Sequence, residues 1–149
     1  MAASTIQSDV IGSKGAMIYQ GIGVRFIAIL IDGLIIGLLM GAVGVLTLGA
    51  FLGSPNLPAW YNLVSFLIYL GYYTYLEGTR GQTIGKMVMK IKVVREDGGK
   101  IDMNAAFTRN ILRVVDGFFA YLIGAILILR SPKKQRLGDS VAKTVVIKA

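Results

Sequence analysis

The chain has 149 residues, of which 54% are hydrophobic and 16% charged, and its formal net charge is +8. Soluble domains average about 25% charged residues, so this composition, with a mean hydropathy of +0.65, predicts a small membrane protein with one domain, residues 1–149. The sequence contains no Cys and no His. Disulfides, zinc-finger sites and Ser–His or Cys–His nucleophiles are therefore excluded, and we expect neither enzymatic activity nor a bound metal or cofactor.

Two apolar segments in the first half predict two transmembrane helices, at about residues 25–52 and 59–76. Each is close to or above the length of about 20 residues that a span needs. Between residues 26 and 52 the single charged side chain is Asp32. The second segment has aromatic residues at both ends, as is typical of the two membrane interfaces. A proline-containing turn at residues 53–58 joins the two segments.

The loop at residues 77–103 is polar and contains six basic residues. Within it, an amphipathic stretch at 83–89 predicts a short helix at the membrane surface. Alternating residues at 90–95 and 100–103 flank a glycine-rich turn, a pattern that predicts a small β-hairpin.

The first half of the segment at residues 104–130 contains three charges, Arg109, Arg113 and Asp116, and only the 13 residues between Asp116 and Arg130 are free of charge. Thirteen residues make about 20 Å of helix, too short to cross a bilayer. The positive-inside rule places the loop and both termini in the cytoplasm. A third full span would put the basic tail, residues 131–149, outside. We therefore predict two half-helices, joined near residues 116–117, that enter and leave from the cytoplasmic side; three plain spans with an external tail are the alternative.

A short internal similarity relates Arg25 and Asp32 to Arg109 and Asp116, since each Asp follows its Arg by seven residues and precedes a Gly. Residues seven apart share a helix face. A carboxylate deep in a span costs about 2.5–3.5 kcal/mol and normally has a partner or faces water. The available partners for Asp32 are Arg25, Arg109 and Arg113. Both an ion or proton pathway and a structural ion-pair cluster fit this pattern.

Two enzymatic interpretations do not fit the sequence. The sequence GQTIGK at residues 81–86 has three residues between its glycines, where a nucleotide-binding P-loop needs four, and Met87 follows in place of Ser or Thr. Paired membrane carboxylates are also found in intramembrane aspartyl proteases. The Gly-x-Gly-Asp signature of that class is missing here.

The chain resembles the RDD family of prokaryotic membrane proteins, named for one arginine and two aspartates. These match Arg25, Asp32 and Asp139, the last within QRLGDSVAKT at residues 135–144. GQTIGK at 81–86, IKVV at 91–94 and RNILRVVD at 109–116 are also similar to the family. The resemblance runs from about residue 19 to 148. One departure is Lys143, where the family often has Gly.

The resemblance implies a role in transport, and sodium/proton exchange has been proposed for some members. With the charge pattern, it predicts ion or proton-coupled transport, with Asp32 as the ion-binding carboxylate, Arg25 and Arg113 tuning its pKa, and Asp116 as a second site. Asp139 is expected to pair with Arg136 or to hold the tail against the membrane helices. The alternative function is a non-transporting membrane scaffold or accessory subunit that docks a partner through its basic cytoplasmic face.

The sequence thus predicts an all-α membrane protein with two transmembrane helices, a re-entrant cytoplasmic-side helical hairpin and a small cytoplasmic β-hairpin. We expect a multi-pass protein of the prokaryotic plasma membrane with both termini in the cytoplasm. Its basic residues are expected to attract anionic lipid headgroups rather than nucleic acid. Two spans and one hairpin enclose little volume, so we also expect a homo-oligomer. The candidate site consists of Arg25, Asp32, Arg109, Arg113, Asp116 and Asp139.

Overall fold

A computed structural model describes residues 17–49, 56–118 and 122–149. The predicted turn at 53–58 and the last residues of the predicted first span lie largely outside these ranges. The described residues form a mostly helical protein with a small antiparallel sheet. Its elements, in chain order, are α1 (Ile22–Leu48), α2 (Ala59–Arg80), α3 (Ile84–Val88), β1 (Ile91–Arg95), α4 (Met103–Phe118), α5 (Leu122–Arg130), α6 (Leu137–Val141) and β2 (Thr144–Lys148).

One helix of the described residues, α1, is long and apolar enough by itself to cross a membrane. Together, α4 and α5 would make a second crossing by composition, but they are bent by 117° on either side of residues 119–121. The helix α4 continues to Phe118, so the break lies after the predicted junction at residues 116–117. The helix α2 covers the predicted second span and continues to Arg80, where Gly81 ends it in the left-handed conformation (φ 72°).

The sheet exists, but the predicted hairpin partner is wrong. The strand β1 pairs with β2, the β-like end of the tail, and Val93 lies opposite Val146. Residues 100–103 contribute a single bridge, between Val94 and Lys100. The cause lies at Asp102, whose carboxylate accepts a hydrogen bond from the Ala105 amide (2.7 Å). This capping interaction directs the following residues into α4 instead of a strand.

A unit of 15 residues occurs twice in the structure, at residues 81–95 and 134–148. Each copy consists of a one-turn helix, a turn and a strand. The first and tenth residues of both copies have positive φ: Gly81 and Lys90 in one, Lys134 and Lys143 in the other. Five positions separated by 53 residues are identical, namely Gln82 and Gln135, Gly85 and Gly138, Val88 and Val141, Lys90 and Lys143, and Val93 and Val146.

The hydrogen bonds of the two units also correspond. Gln82 donates from Nε2 to the carbonyl of Ile91 (2.9 Å), and Gln135 donates in the same way to Thr144 (2.9 Å). Because the equivalent residues Val93 and Val146 face each other, the two strands are related by a local twofold axis. The element order of two helices, a short helix and a strand is the same in residues 22–95 and 103–148. The described residues therefore form an internal structural repeat, of which the short similarity between α1 and α4 is one part.

Two hydrophobic clusters hold the described helices in place, and one of them includes the sheet. In one, Ala28 of α1 packs with Val93 and Val146 of the sheet and Ala106 of α4. In the other, apolar residues of α1 pack with Tyr61 and Tyr73 of α2. Large apolar residues remain exposed along α1, including Leu34, Leu38 and Leu46. Apolar side chains on the outside of a helix are expected where lipid chains are the solvent.

Candidate functional site

Nine charged side chains among the described residues are buried, and they meet where the helices join the sheet. Buried charges need partners, because removing an ion from water costs several kcal/mol. We call this set the charge cluster. It contains five cations and four carboxylates: Arg25, Lys86, Arg109, Arg113, Arg136, Asp32, Glu77, Asp116 and Asp139.

Asp139, in α6, is the centre of one half of the charge cluster. Its carboxylate lies 2.6 Å from Arg25, 3.1 Å from Arg109 and 3.7 Å from Arg136. Burial alone would raise the pKa of Asp139, but the three guanidiniums outweigh burial and hold that pKa well below its usual range. The expected pairing with Arg136 is present, and the shortest contact is with Arg25. Asp139 therefore fixes the tail to both α1 and α4.

Glu77, in α2, is the centre of the other half. It forms ion pairs with Lys86 and with Arg109 (3.2 Å) and Arg113 (3.4 Å). The guanidinium of Arg113 also lies over the ring of Tyr73, 4.1 Å from its centroid. Arg109 joins the two halves, since it reaches both Glu77 and Asp139. Glu77 and Lys86 were not predicted as site residues, because both lie in the segment predicted to be a polar loop.

Asp32 has no arginine partner among the described residues, contrary to the expectation from the sequence. Its oxygens accept hydrogen bonds from the hydroxyls of Tyr72 (2.8 Å) and Thr83 (2.6 Å) and from the amide of Gly85 (2.7 Å). A Cβ atom on Gly85 would overlap the carbonyl oxygen of Ala28. The absence of a side chain at Gly85 thus lets α3 lie directly on α1. The physical reason for the wrong prediction is that a neutral cap from α3 satisfies this carboxylate.

Asp116 occupies the position in α4 that Asp32 has in α1, but it lacks the corresponding cap. It is buried, it forms no ion pair, and its Oδ1 atom has no hydrogen-bond partner among the described residues. In the second 15-residue unit, Arg136 stands where Thr83 stands in the first. The hydroxyl that closes the Asp32 site is therefore missing at Asp116.

A cavity of about 100 Å³ adjoins the charge cluster between α1 and α5. Lys86 and Arg113 lie in its wall, and Gly124 of α5 places its backbone close to Asp116. The cavity therefore brings titratable side chains next to a space that a small group could occupy. No group of three carboxylates suited to a metal ion is present in the ranges that the structure describes.

Lys86 is a member of the charge cluster with a pKa near neutral. Burial, together with the nearby Arg109 and Arg113, lowers the pKa of Lys86 to about 7 against the opposing attraction of Glu77. A lysine in this state can release and take up a proton under physiological conditions.

The fold and the charge cluster define a small helical protein with charged residues buried at the base of an apolar helix. Its sequence is similar to those of known proteins. The RDD family matches residues 19–143. The uncharacterized membrane protein YteJ of Bacillus subtilis is 32% identical over 136 residues, covering 87% of this chain and 80% of YteJ. The uncharacterized protein YxaI of the same organism is 29% identical, with 85% and 95% covered.

A proline-rich antigen homolog of Mycobacterium tuberculosis is 34% identical over 94 residues, or 62% of this chain. The match spans only 39% of that longer relative. No solved structure matches the chain. The chain belongs to the RDD family and is a membrane protein.

Proposed function

We propose that this protein carries out proton-coupled ion transport, with the charge cluster as its proton-handling site. The observation that carries the proposal is the buried Lys86–Glu77 ion pair, which lies beside a cavity at the bent α4–α5 segment. Broken helices that place charged groups next to a cavity are the usual construction of transporter binding sites. Ionisable residues buried in a membrane protein commonly mark ion or proton pathways.

In this mechanism Lys86 exchanges a proton with the cavity. When Lys86 is neutral, Glu77 keeps Arg109 and Arg113 as its partners, so the carboxylate is never left without a cation. The change of one charge in the cavity wall alters the affinity for an ion there. This provides the coupling between proton and ion that such transport needs.

Asp32 was predicted to be the ion-binding carboxylate, and its contacts favour a different role. Three hydrogen bonds already occupy its oxygens, so a cation would have to displace donors from α2 and α3. We propose that Asp32 anchors α3 on α1. Asp116, whose Oδ1 has no described partner, is the better candidate for the sodium-binding form of the proposal.

Proton flux in proteoliposomes tests this proposal. Flux driven by gradients of sodium, potassium, chloride or phosphate is recorded with an internal pH dye for the native protein, Lys86→Met and Lys100→Gln. Lys100 is exposed, so its substitution is a control for the loss of one basic residue. We expect flux in the native protein and the control and none in Lys86→Met. Equal flux from all three proteins would exclude Lys86 as the proton carrier.

We further propose that α1 and α2 both cross the membrane, that α4 and α5 enter and leave from the cytoplasmic side, and that both termini are cytoplasmic. The absence of native Cys makes this easy to test, since a single Cys can be added after Ala149. An impermeant thiol reagent should leave that Cys unmodified in intact cells and modify it in inverted vesicles. Modification in intact cells would contradict the re-entrant arrangement.

The second candidate function is a scaffold or accessory subunit, and the exposed basic residues around the sheet favour it. They include Lys90, Arg95, Lys133, Lys143 and Lys148. A partner docked there would be an acidic protein surface. This function predicts a co-purifying protein lost on charge reversal at Lys143 and Lys148.

For either function we propose a homo-oligomer, which native mass spectrometry in mild detergent would detect.

A further inference from the structure

The wall of the cavity between α1 and α5 has an unusual charge. No carboxylate lines it in the described structure. Its charged residues are all cations, namely Arg25, Lys86, Arg109, Arg113 and Arg136. Each of them is at least nine-tenths buried. A space of about 100 Å³ accommodates a group of a few non-hydrogen atoms, since one water takes about 30 Å³ in the liquid. The cavity is therefore electrostatically suited to a small anionic group.

Among the described residues, two arginines in this wall have buried donors with neither a hydrogen bond nor an ion pair. Nε and Nη1 of Arg113 and Nε of Arg136 are buried and form no hydrogen bond within the described residues. A buried charged donor without an acceptor is costly, and an oxyanion would satisfy it. A guanidinium carries five N–H donors in a fixed planar arrangement, and a phosphate with several free oxygens can accept hydrogen bonds from the unpaired donors of both arginines.

The remaining wall is apolar and is formed largely by two membrane helices. Ile22, Phe26 and Ile29 contribute from α1, and Ala125 and Ile128 contribute from α5. Phe26 is 56% exposed, so it lies at the edge of the cavity on the surface of α1. An anion entering here meets cations at the base and an apolar helix face at the entrance. This combination fits a headgroup that remains attached to an acyl chain.

We propose that this cavity binds the phosphate of an anionic phospholipid. Arg113 and Arg136 donate to the phosphate oxygens, and the acyl chains lie along α1 beyond Phe26. The site is distinct from the exposed basic residues around the sheet, which would attract any anionic headgroup without enclosing it. The proposal does not depend on transport, because binding is measured at equilibrium on the purified protein.

Titration of the full-length protein in mild detergent tests the ligand class. Native mass spectrometry and thermal unfolding are followed with phosphatidylglycerol, with phosphatidylcholine of the same chains and with inorganic phosphate. We expect phosphatidylglycerol to bind at least about tenfold more tightly than either of the others, because one lacks the net charge and the other the chain. Equal affinity for phosphatidylcholine would overturn the anionic site, and equal affinity for inorganic phosphate would overturn the lipid assignment.

Three variants test the location. Arg136→Gln removes a donor, Ala125→Phe fills the cavity without changing charge, and Arg130→Gln removes an exposed cation of α5 that does not line the cavity. We expect the first two to weaken phosphatidylglycerol binding at least about tenfold and the third to change it less than about twofold. If Arg136→Gln does not fold, Ala125→Phe decides. Native affinity in Ala125→Phe would overturn the location.

Discussion

The close contact between α3 and α1 requires that residue 85 carry only a hydrogen atom in place of a side chain. Replacing Gly85 should therefore disrupt this contact. In Gly85→Ala the new Cβ would lie 2.9 Å from Cγ of Asp32 and would overlap the backbone oxygen of Ala28. Overpacking of this kind costs about 1–3 kcal/mol. Moving α3 away also breaks the 2.7 Å hydrogen bond from the Gly85 amide to the Asp32 carboxylate, which adds about 1.5–3 kcal/mol.

We therefore expect Gly85→Ala to lower the free energy of unfolding by about 3–5 kcal/mol and Tm by about 10 °C, at about 2–4 °C per kcal/mol for a chain of this size. Thermal unfolding in detergent is the assay. The matched control is Gly33→Ala, next to Asp32 in sequence, where a Cβ would contact nothing within 4 Å. In that helical position alanine is favourable by up to about 1 kcal/mol. If the two variants have the same Tm, the close packing of α3 on α1 is refuted.

Two further predictions concern the charge cluster and the duplicated unit. Asp139→Asn should cost about 3–5 kcal/mol, because it leaves buried guanidiniums unpaired, whereas the exposed Asp97→Asn should have little effect in thermal unfolding. Folding lowers the pKa of Asp139, so the ionised carboxylate stabilises the folded protein fully above the unfolded pKa of about 4. This stabilisation is lost progressively as the pH falls below that value. The difference in unfolding free energy between the native protein and Asp139→Asn should therefore narrow in acid. Gln82→Ala and Gln135→Ala each remove a 2.9 Å bond to a strand carbonyl and should each cost about 1 kcal/mol, with the larger loss at Gln135, which also contacts Glu96. A neutral effect of either substitution would contradict the equivalence of the two units.

Much of the fold was predictable because its signals are local. The apolar run around Asp32 correctly predicted a long apolar helix, α1. The charges within residues 104–130 correctly predicted that this segment is divided into two helices. The pairing of the strands was harder to predict, because β1 has two possible partners and the sequence pattern favours the nearer one. The capping interaction of Asp102 decides against it, and its effect could not be weighed from pattern alone.

The candidate site was predictable in part. Arg25, Arg109 and Asp139 do meet, although they are far apart in sequence. Glu77 is not identified from the sequence because it follows the apolar run of α2, where the pattern predicts a loop. Lys86 is not identified because neither the P-loop comparison nor the family resemblance of GQTIGK gives its lysine a role. Aligning residues 81–95 with 134–148 would have placed Lys86 opposite Asp139 and identified it as a buried position.

The most direct test of the proposed function is the pH dependence of proton flux in proteoliposomes for the native protein and Lys86→Arg. Arginine keeps the positive charge beside Glu77, but it does not release its proton near neutral pH. The groups that face Lys86 are Glu77, Arg109 and Arg113, and burial lowers its pKa to about 7. We predict a native flux that changes steeply around pH 7 and a folded Lys86→Arg protein without proton flux between pH 5.5 and 8.5. A Lys86→Arg protein with native flux and the same pH profile would contradict the account.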